Sequence, residues 1–236
     1  MDKQSFYKYV EGRGLSGYGS AILVRESGET KYSLLLASET VPAVFGTPNS
    51  FEFDLVNSRS IGKIQGKASL DDKDVEFLLH RDNIYRLEQL RDKVLDFMYI
   101  TPDLMGWKFT GKISARPNDA GSDVLRGTYT ITPMSADDKP ILNVRDEIQE
   151  TLCFANAIPD TIKSGDSINL SVVQKDATVT YTQQAINSDG TSKGSSSSVA
   201  VSDGVGSITL SGGGLVAITA SADGYASWTT TIYVEP

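Results

Sequence analysis

Cysteine and histidine are nearly missing from this chain, and each scarcity removes a class of function. Cys153 is the one cysteine, so no internal disulfide can form. Its neighbours Thr151, Leu152, Phe154 and Ala155 bring no cation to activate a thiol, so it reads as a small buried hydrophobe. His80 is the one histidine. That leaves little for acid–base chemistry near neutrality, and no Ser or Cys nucleophile arrangement can be built around it. No apolar run approaches the ~20 residues of a membrane span, so no membrane insertion is expected. The start, Met1-Asp-Lys-Gln-Ser5, lacks the basic-then-apolar design of a signal peptide, and the chain is expected in cytoplasm. Cations are outnumbered too: 22 Lys and Arg face 30 Asp and Glu, a net charge of −8. Nucleic-acid affinity comes mainly from Lys and Arg displacing counterions, so such a chain grips phosphates poorly. It suits a surface that nucleic acid passes without sticking.

What remains is β vocabulary in two dialects. All nine arginines lie at or before Arg145, and every phenylalanine but Phe154 lies earlier as well. After Ala157, Ser, Thr, Gly, Ala and Val dominate, and the only cations are Lys163, Lys175 and Lys193. The reading is a first module over 1–151, a linker over 152–157 and a second module over 158–236. In the first, Ala21–Arg25 and Lys31–Leu36 flank the turn Glu26-Ser-Gly-Glu29 as a hairpin. Phe51–Leu55 alternates, Ile61–Leu70 is a weaker strand, and Val75–Leu79 leads into one helix. There Asp82 is the expected N-cap, with Ile84, Leu87, Leu90 and Val94 as the apolar stripe. Leu95–Ile100 is apolar on both faces and belongs in the sheet that the helix covers. Trp107, Phe109 and Ile113 share one face of a following strand, and Lys108, Thr110, Lys112 and Ser114 share the other. Tyr129 and Ile131 oppose Thr128, Thr130 and Thr132 likewise.

The second module carries seven short strand candidates at regular spacing, the pattern of a Greek-key sandwich. It has no Cys–Trp–Cys pattern. Its close, Gly213–Tyr225, resembles bacterial immunoglobulin-like modules. The fold class expected is therefore mainly β: an antiparallel β-sandwich or barrel with one flanking α-helix, followed by an Ig-like Greek-key β-sandwich. The first module is expected to supply a complete core of its own.

Motifs of chemistry are thin. Gly12-Arg-Gly14-Leu-Ser-Gly17 matches a dinucleotide fingerprint literally, but no βαβ unit surrounds it. Asp71-Asp-Lys-Asp74 reads as a solvated turn, without an EF-hand pattern or a histidine to make a metal site. No catalytic, cofactor-binding or metal-binding residue is assigned, no cofactor is expected, and an enzyme ranks last among the readings.

One resemblance covers about Val41 to Ser135. The strand pair Leu104-Met-Gly-Trp-Lys-Phe-Thr-Gly-Lys-Ile-Ser-Ala-Arg116 and Leu125-Arg-Gly-Thr-Tyr-Thr-Ile-Thr-Pro-Met134 looks like the last two strands of the tail tube proteins of long-tailed bacteriophages. Val41-Pro-Ala-Val-Phe-Gly-Thr-Pro48 is similar to that family's proline–glycine loop. Val75–Leu90 resembles its strand, Asp or Asn, and short helix. Some members also carry a C-terminal Ig-like domain. The basic helix residues Arg81, Arg86 and Arg91 and the Gly-rich N-terminus depart from the pattern.

The resemblance implies a structural virion protein. Six copies form a ring, each giving four strands to an inner barrel, and rings stack into the conduit for DNA delivery. Twenty-four strands at about 4.8 Å spacing and about 40° tilt give a backbone diameter near ~48 Å. Side chains leave a bore of about 37 Å, wide enough for B-DNA of roughly 20 Å. Implied partners are further copies of the chain and the tape measure, tail terminator and distal tail proteins. Viral DNA would transit without specific binding, and the Ig-like module would decorate the exterior with at most weak contact to host-surface glycans. The localisation implied is the virion tail, reached from host cytoplasm. Periodicity offers Glu52, Asp54 and Glu76 as lumen-facing acids, with Lys108, Lys112 and Arg126 at subunit contacts or paired with acids. The loop Ser38–Asn49, with Val41, Val44 and Phe45, is offered as the ring-stacking contact. Two alternatives stay open: a β-modular surface or carbohydrate-binding protein, and the inner tube of a contractile injection device.

Overall fold

The computed structural model describes residues 20–36, 41–42, 50–54, 61–65, 70–101, 104–118, 125–137, 139–174 and 177–236, with backbone only at 50–54 and 61–65. The fold is mainly β, built of antiparallel sheets with one flanking helix. In the first module the strands are β1 (Ala21–Arg25), β2 (Ser33–Leu34), β3 (Ser50–Asp54), β4 (Ile61–Gln65) and β5 (Lys73–Leu78). Helix α1 (Arg81–Leu90) follows, then β6 (Leu95–Ile100), β7 (Gly106–Pro117) and β8 (Arg126–Ala136). Six of these strands form one sheet in the order β2-β1-β6-β7-β8-β5, and β3 pairs with β4 as a separate hairpin.

Period-two patterning explains the sheet. β5 alternates buried and exposed along its length, with Val75 and Phe77 fully buried. On the same face lie Phe109, Ile113, Tyr129, Ile131, Leu95 and Phe97, and Leu87 and Leu90 of α1 cover them. β6 is apolar on both faces because both are covered. Met98 and Ile100 point the other way, under Val144 and Ile148 of the segment that follows β8.

The Thr-Gly-Lys-Ile stretch gains its reason here. The β7–β8 register shifts beside Gly111, which faces Pro133 while Thr110 faces Ser135, leaving Met134 as the extra residue of a bulge. A proline can sit in a sheet at such a bulge, where its missing N–H costs no ladder bond. A Cβ at Gly111 would lie 2.6 Å from the Thr132 carbonyl oxygen, so the backbones approach this closely only at glycine.

The helix departs from expectation at both ends. His80, not Asp82, is the N-cap: its Nδ1 accepts from the Asp82 N–H at 3.3 Å. Asp82 sits one turn position inside and its carboxylate is used elsewhere. Val94 lies beyond the end of α1 and is 54% exposed, so it is not part of the stripe. Asp92 at φ 63° turns the chain out of the helix before Val94 is reached. Of the strand expected over Ile61–Leu70, Ile61–Gln65 forms β4, and residues 66–69 lie outside the described residues.

Among the described residues the second module has seven strands: β9 (Thr161–Lys163), β10 (Ser167–Ser171), β11 (Val179–Ile186), β12 (Ser197–Val201), β13 (Val205–Thr209), β14 (Gly214–Ser221) and β15 (Trp228–Glu235). Five form a sheet ordered β12-β11-β14-β15-β9, and β10 pairs with β13. β9 runs parallel to β15, as the first and last strands of an Ig-like sandwich do. Between the sheets lie Leu170, Val179, Tyr181, Ile218 and Ile232. The residues expected as a linker are instead built into this module. Leu152 is fully buried in its core, Phe154 bridges to Val172, and Asn156 bonds the backbone of Asn169 and Ser171.

The modules also share a core. Trp228 of β15 is buried among the hydrophobic residues of the first module, and α1 lies between β7 and β15. The first module's core is therefore completed by the second, a dependence that side-chain periodicity within either module does not reveal.

Candidate functional site: a polar sheet face beside an open strand edge

The face of the six-stranded sheet away from α1 is covered over only half its width. Under β1, β2 and β6 it is roofed by Val144 and Ile148. Over β7, β8 and β5 no described segment roofs it, and its side chains are exposed or half-exposed except Thr128, which is buried. The register sets out its rows: Asp74, Thr130 and Ser114 in one, Glu76, Thr128 and Arg116 in the next. Lys112 and Thr132 lie opposite each other beyond them. Thr130 donates to Asp74 at 2.5 Å, and Arg116 stands 3.9 Å from the same carboxylate. Thr128 donates to Asn118 at 2.7 Å. The result is a short-chained, hydroxyl-rich surface carrying both signs of charge.

A charged margin divides the bare half from the roofed half. Arg25 pairs with Asp96 at 2.6 Å and lies 4.6 Å over the Tyr32 ring. Lys108 pairs with Glu147 at 2.5 Å. The bond to Asp96 raises the Arg25 pKa further. Burial pushes the Tyr32 hydroxyl up to about 12, partly opposed by Arg25.

The two edges of this sheet differ. Beyond β2 the chain closes its own edge: the Tyr32 N–H donates to Glu147 O and the Gln149 N–H to Tyr32 O, both at 2.8 Å. Beyond β5 no strand follows among the described residues. The two-stranded β3–β4 hairpin likewise pairs only within itself among them.

Of the residues singled out from sequence, Glu76 is exposed on the bare face. Glu52 and Asp54 lie on β3, where Glu52 is the register partner of Lys63, and their side chains lie outside the described residues. Lys108 has the acid partner expected of it. Val41 is half-buried against the first module's own core. Val44, Phe45 and the Gly12–Gly17 stretch lie outside the described residues. Among the described residues no group of three His, Cys, Asp or Glu could hold a metal ion. Among the described residues no helix is long and apolar enough to cross a membrane.

Sequence reasoning missed the junction between modules. Asp82 accepts from Thr230 Oγ1 at 2.8 Å, and from Thr231 N and Oγ1 at 2.6 and 2.8 Å. His80 Nε2 lies 3.1 Å from Asp160. A cleft of about 340 Å³ opens beside this junction, lined by Arg81, Ile84, Tyr85, Ile186 and Asp189. Its Asp189 carboxylate is tied to Thr191, which lowers its pKa. Nothing in the separation of 149 residues between Asp82 and Thr231 signals this contact.

No protein-family model matches the chain, and no curated protein sequence matches it.

Proposed function

We propose that this chain is a structural protein that assembles into rings stacking into a tube, the tail tube of a long-tailed phage. The observation that carries the reading is the asymmetry of the six-stranded sheet. Among the described residues one edge is closed by its own chain, the other has no further strand, and that open edge borders an uncovered polar face. An open edge offers unpaired N–H and C=O groups to a further strand, and ring closure removes such edges altogether. A polar face of hydroxyls and mixed charge suits a wall along which DNA slides, because a dense cationic face would hold phosphate. In that assembly six copies close a ring, the face of β5, β7 and β8 lines the bore with Glu76, and the Ig-like module stands outside. Viral DNA passes without specific binding. The tape measure, tail terminator and distal tail proteins are the expected partners in the virion, and weak glycan contact falls to the Ig-like module.

Negative-stain microscopy of the purified full chain tests the reading. Rings or tubes with a central bore are expected. A protein that stays monomeric at every concentration, with neither form on the grid, would overturn it.

A further inference from the structure

We infer that the open edge of β5 takes strand β4 of a second copy of this chain, so that the β3–β4 hairpin is the connector between neighbours. This rests on the ring reading above and names the segment that would close the ring. A ring needs two different surfaces on each copy that fit each other. The edge of β5, beyond which no strand lies among the described residues, supplies one. The opposite edge of the same sheet cannot supply the other, because residues 147–149 already occupy it. The β3–β4 hairpin is the remaining element of this module whose outer edges are unpaired among the described residues. Its strands are five residues each and β5 is six, so a full-length ladder fits.

Charge chooses between the two strands of the hairpin. β5 carries Asp74 and Glu76, both exposed. β3 carries Glu52 and Asp54, whereas β4 carries Lys63 and no acid. Like charges on adjacent strands destabilise a pair and opposite charges support it. Placing β4 beside β5 gives the strand order β3, β4, β5, with a cation between two acidic strands. Placing β3 there would join acid to acid. The existing register partner of Lys63 is Glu52, so the alternation of sign already begins inside the hairpin.

Cysteine cross-linking between differently marked copies reads this contact directly. Leu78→Cys marks the exposed end of β5. Ile61→Cys and Gln65→Cys mark the two ends of β4, one for each strand direction. Ser50→Cys and Asp54→Cys mark β3 as controls. Cys153 is left in place because it is buried. Each variant is assembled alone and mixed with the Leu78→Cys chain, then oxidised. A disulfide forms only when the Cα atoms come within about 7 Å. The expected result is a covalent dimer in one of the two β4 mixtures, about ten-fold above either variant alone. Rings without that dimer, or with a dimer to β3 instead, overturn the pairing while leaving the ring reading intact. Absence of rings for every chain, the unaltered one included, overturns both. A second measurement does not depend on cysteines. Lys63→Glu should abolish ring formation while the unassembled chain keeps its circular dichroism and melting temperature, and Lys63→Arg should assemble normally. Normal rings from Lys63→Glu would overturn the choice of β4.

Discussion

Asp82 and Thr231 are joined twice: one carboxylate oxygen accepts from both the backbone nitrogen and the hydroxyl of Thr231, at 2.6 and 2.8 Å. The other oxygen accepts from Thr230. Both threonines are buried, so removing the carboxylate strands three donors away from water. Hydrogen bonds to a charged group are worth roughly 1.5–3 kcal/mol each, with losses that do not add fully. Asp82→Ala should therefore lower the unfolding free energy by about 2–4 kcal/mol in urea titration. Asp82→Asn, which keeps one acceptor oxygen, should lose less. Equal stability of Asp82→Ala and the unaltered chain would show that the junction is not formed in solution.

Trp228 makes the same junction hydrophobic. Its side chain belongs to the first module's core although β15 belongs to the second. A chain ending after Phe154 should therefore fold poorly, with exposed apolar surface detectable by dye binding and with broad amide resonances. Sharp, dispersed spectra from that truncation would restore the independence that composition alone implies.

Alkali should weaken the fold through its buried tyrosines. The hydroxyls of Tyr32 and Tyr181 are both raised by burial from the ordinary tyrosine value of 10.0 to about 12. Their contribution is fully present below pH 10, where both states hold the proton. It is lost as pH rises from 10 towards 12, because the unfolded chain ionises first. Each such tyrosine adds a slope of about 1.4 kcal/mol per pH unit in that window. Tyr32→Phe should remove its share of the slope in urea titrations between pH 9 and 12. An unchanged slope would mean that Tyr32 is not buried.

Gly111→Ala tests the bulge. The added methyl group would meet the Thr132 carbonyl oxygen, which is backbone and cannot swing away. Overpacking of this kind costs typically about 1–3 kcal/mol, measurable as a fall in melting temperature. A neutral result would place the β7–β8 register elsewhere.

The proposed bore predicts a different pattern. Ser114 and Thr132, exposed on the face of β7 and β8 proposed to line the bore, changed together to Lys should leave assembly intact but slow DNA passage, since each added cation offers a phosphate contact. The readout is DNA ejected from particles carrying the variant tube, with the deficit shrinking at higher salt. Ejection at the unaltered rate would remove this face from the bore.

Much of the fold was legible along the chain, because a strand half-covered by core must alternate with period two. That is why Trp107, Phe109 and Ile113 could be separated from Lys108, Thr110 and Lys112, whereas the strands of the second module were legible from the regular spacing of their turn signals. The helix was legible in its middle, where Leu87 and Leu90 repeat with helical spacing. Its ends were not. Asp82 has the chemistry of an N-cap, but its carboxylate is committed to Thr230 and Thr231, and His80 caps in its place. The candidate site divides along the same line. Hydroxyl-rich strand faces and the exposed Glu76 follow from local alternation. Which rows they form, which edge is closed by residues 147–149 and which is open follow from strand order, and strand order is set by contacts between distant segments. Sequence by itself determined the period of each strand, the two vocabularies and the scarcity of reactive side chains. Tertiary structure alone decided that Trp228 completes another module's core and that β5 lies last in its sheet among the described residues, because pairing and burial depend on which surfaces meet.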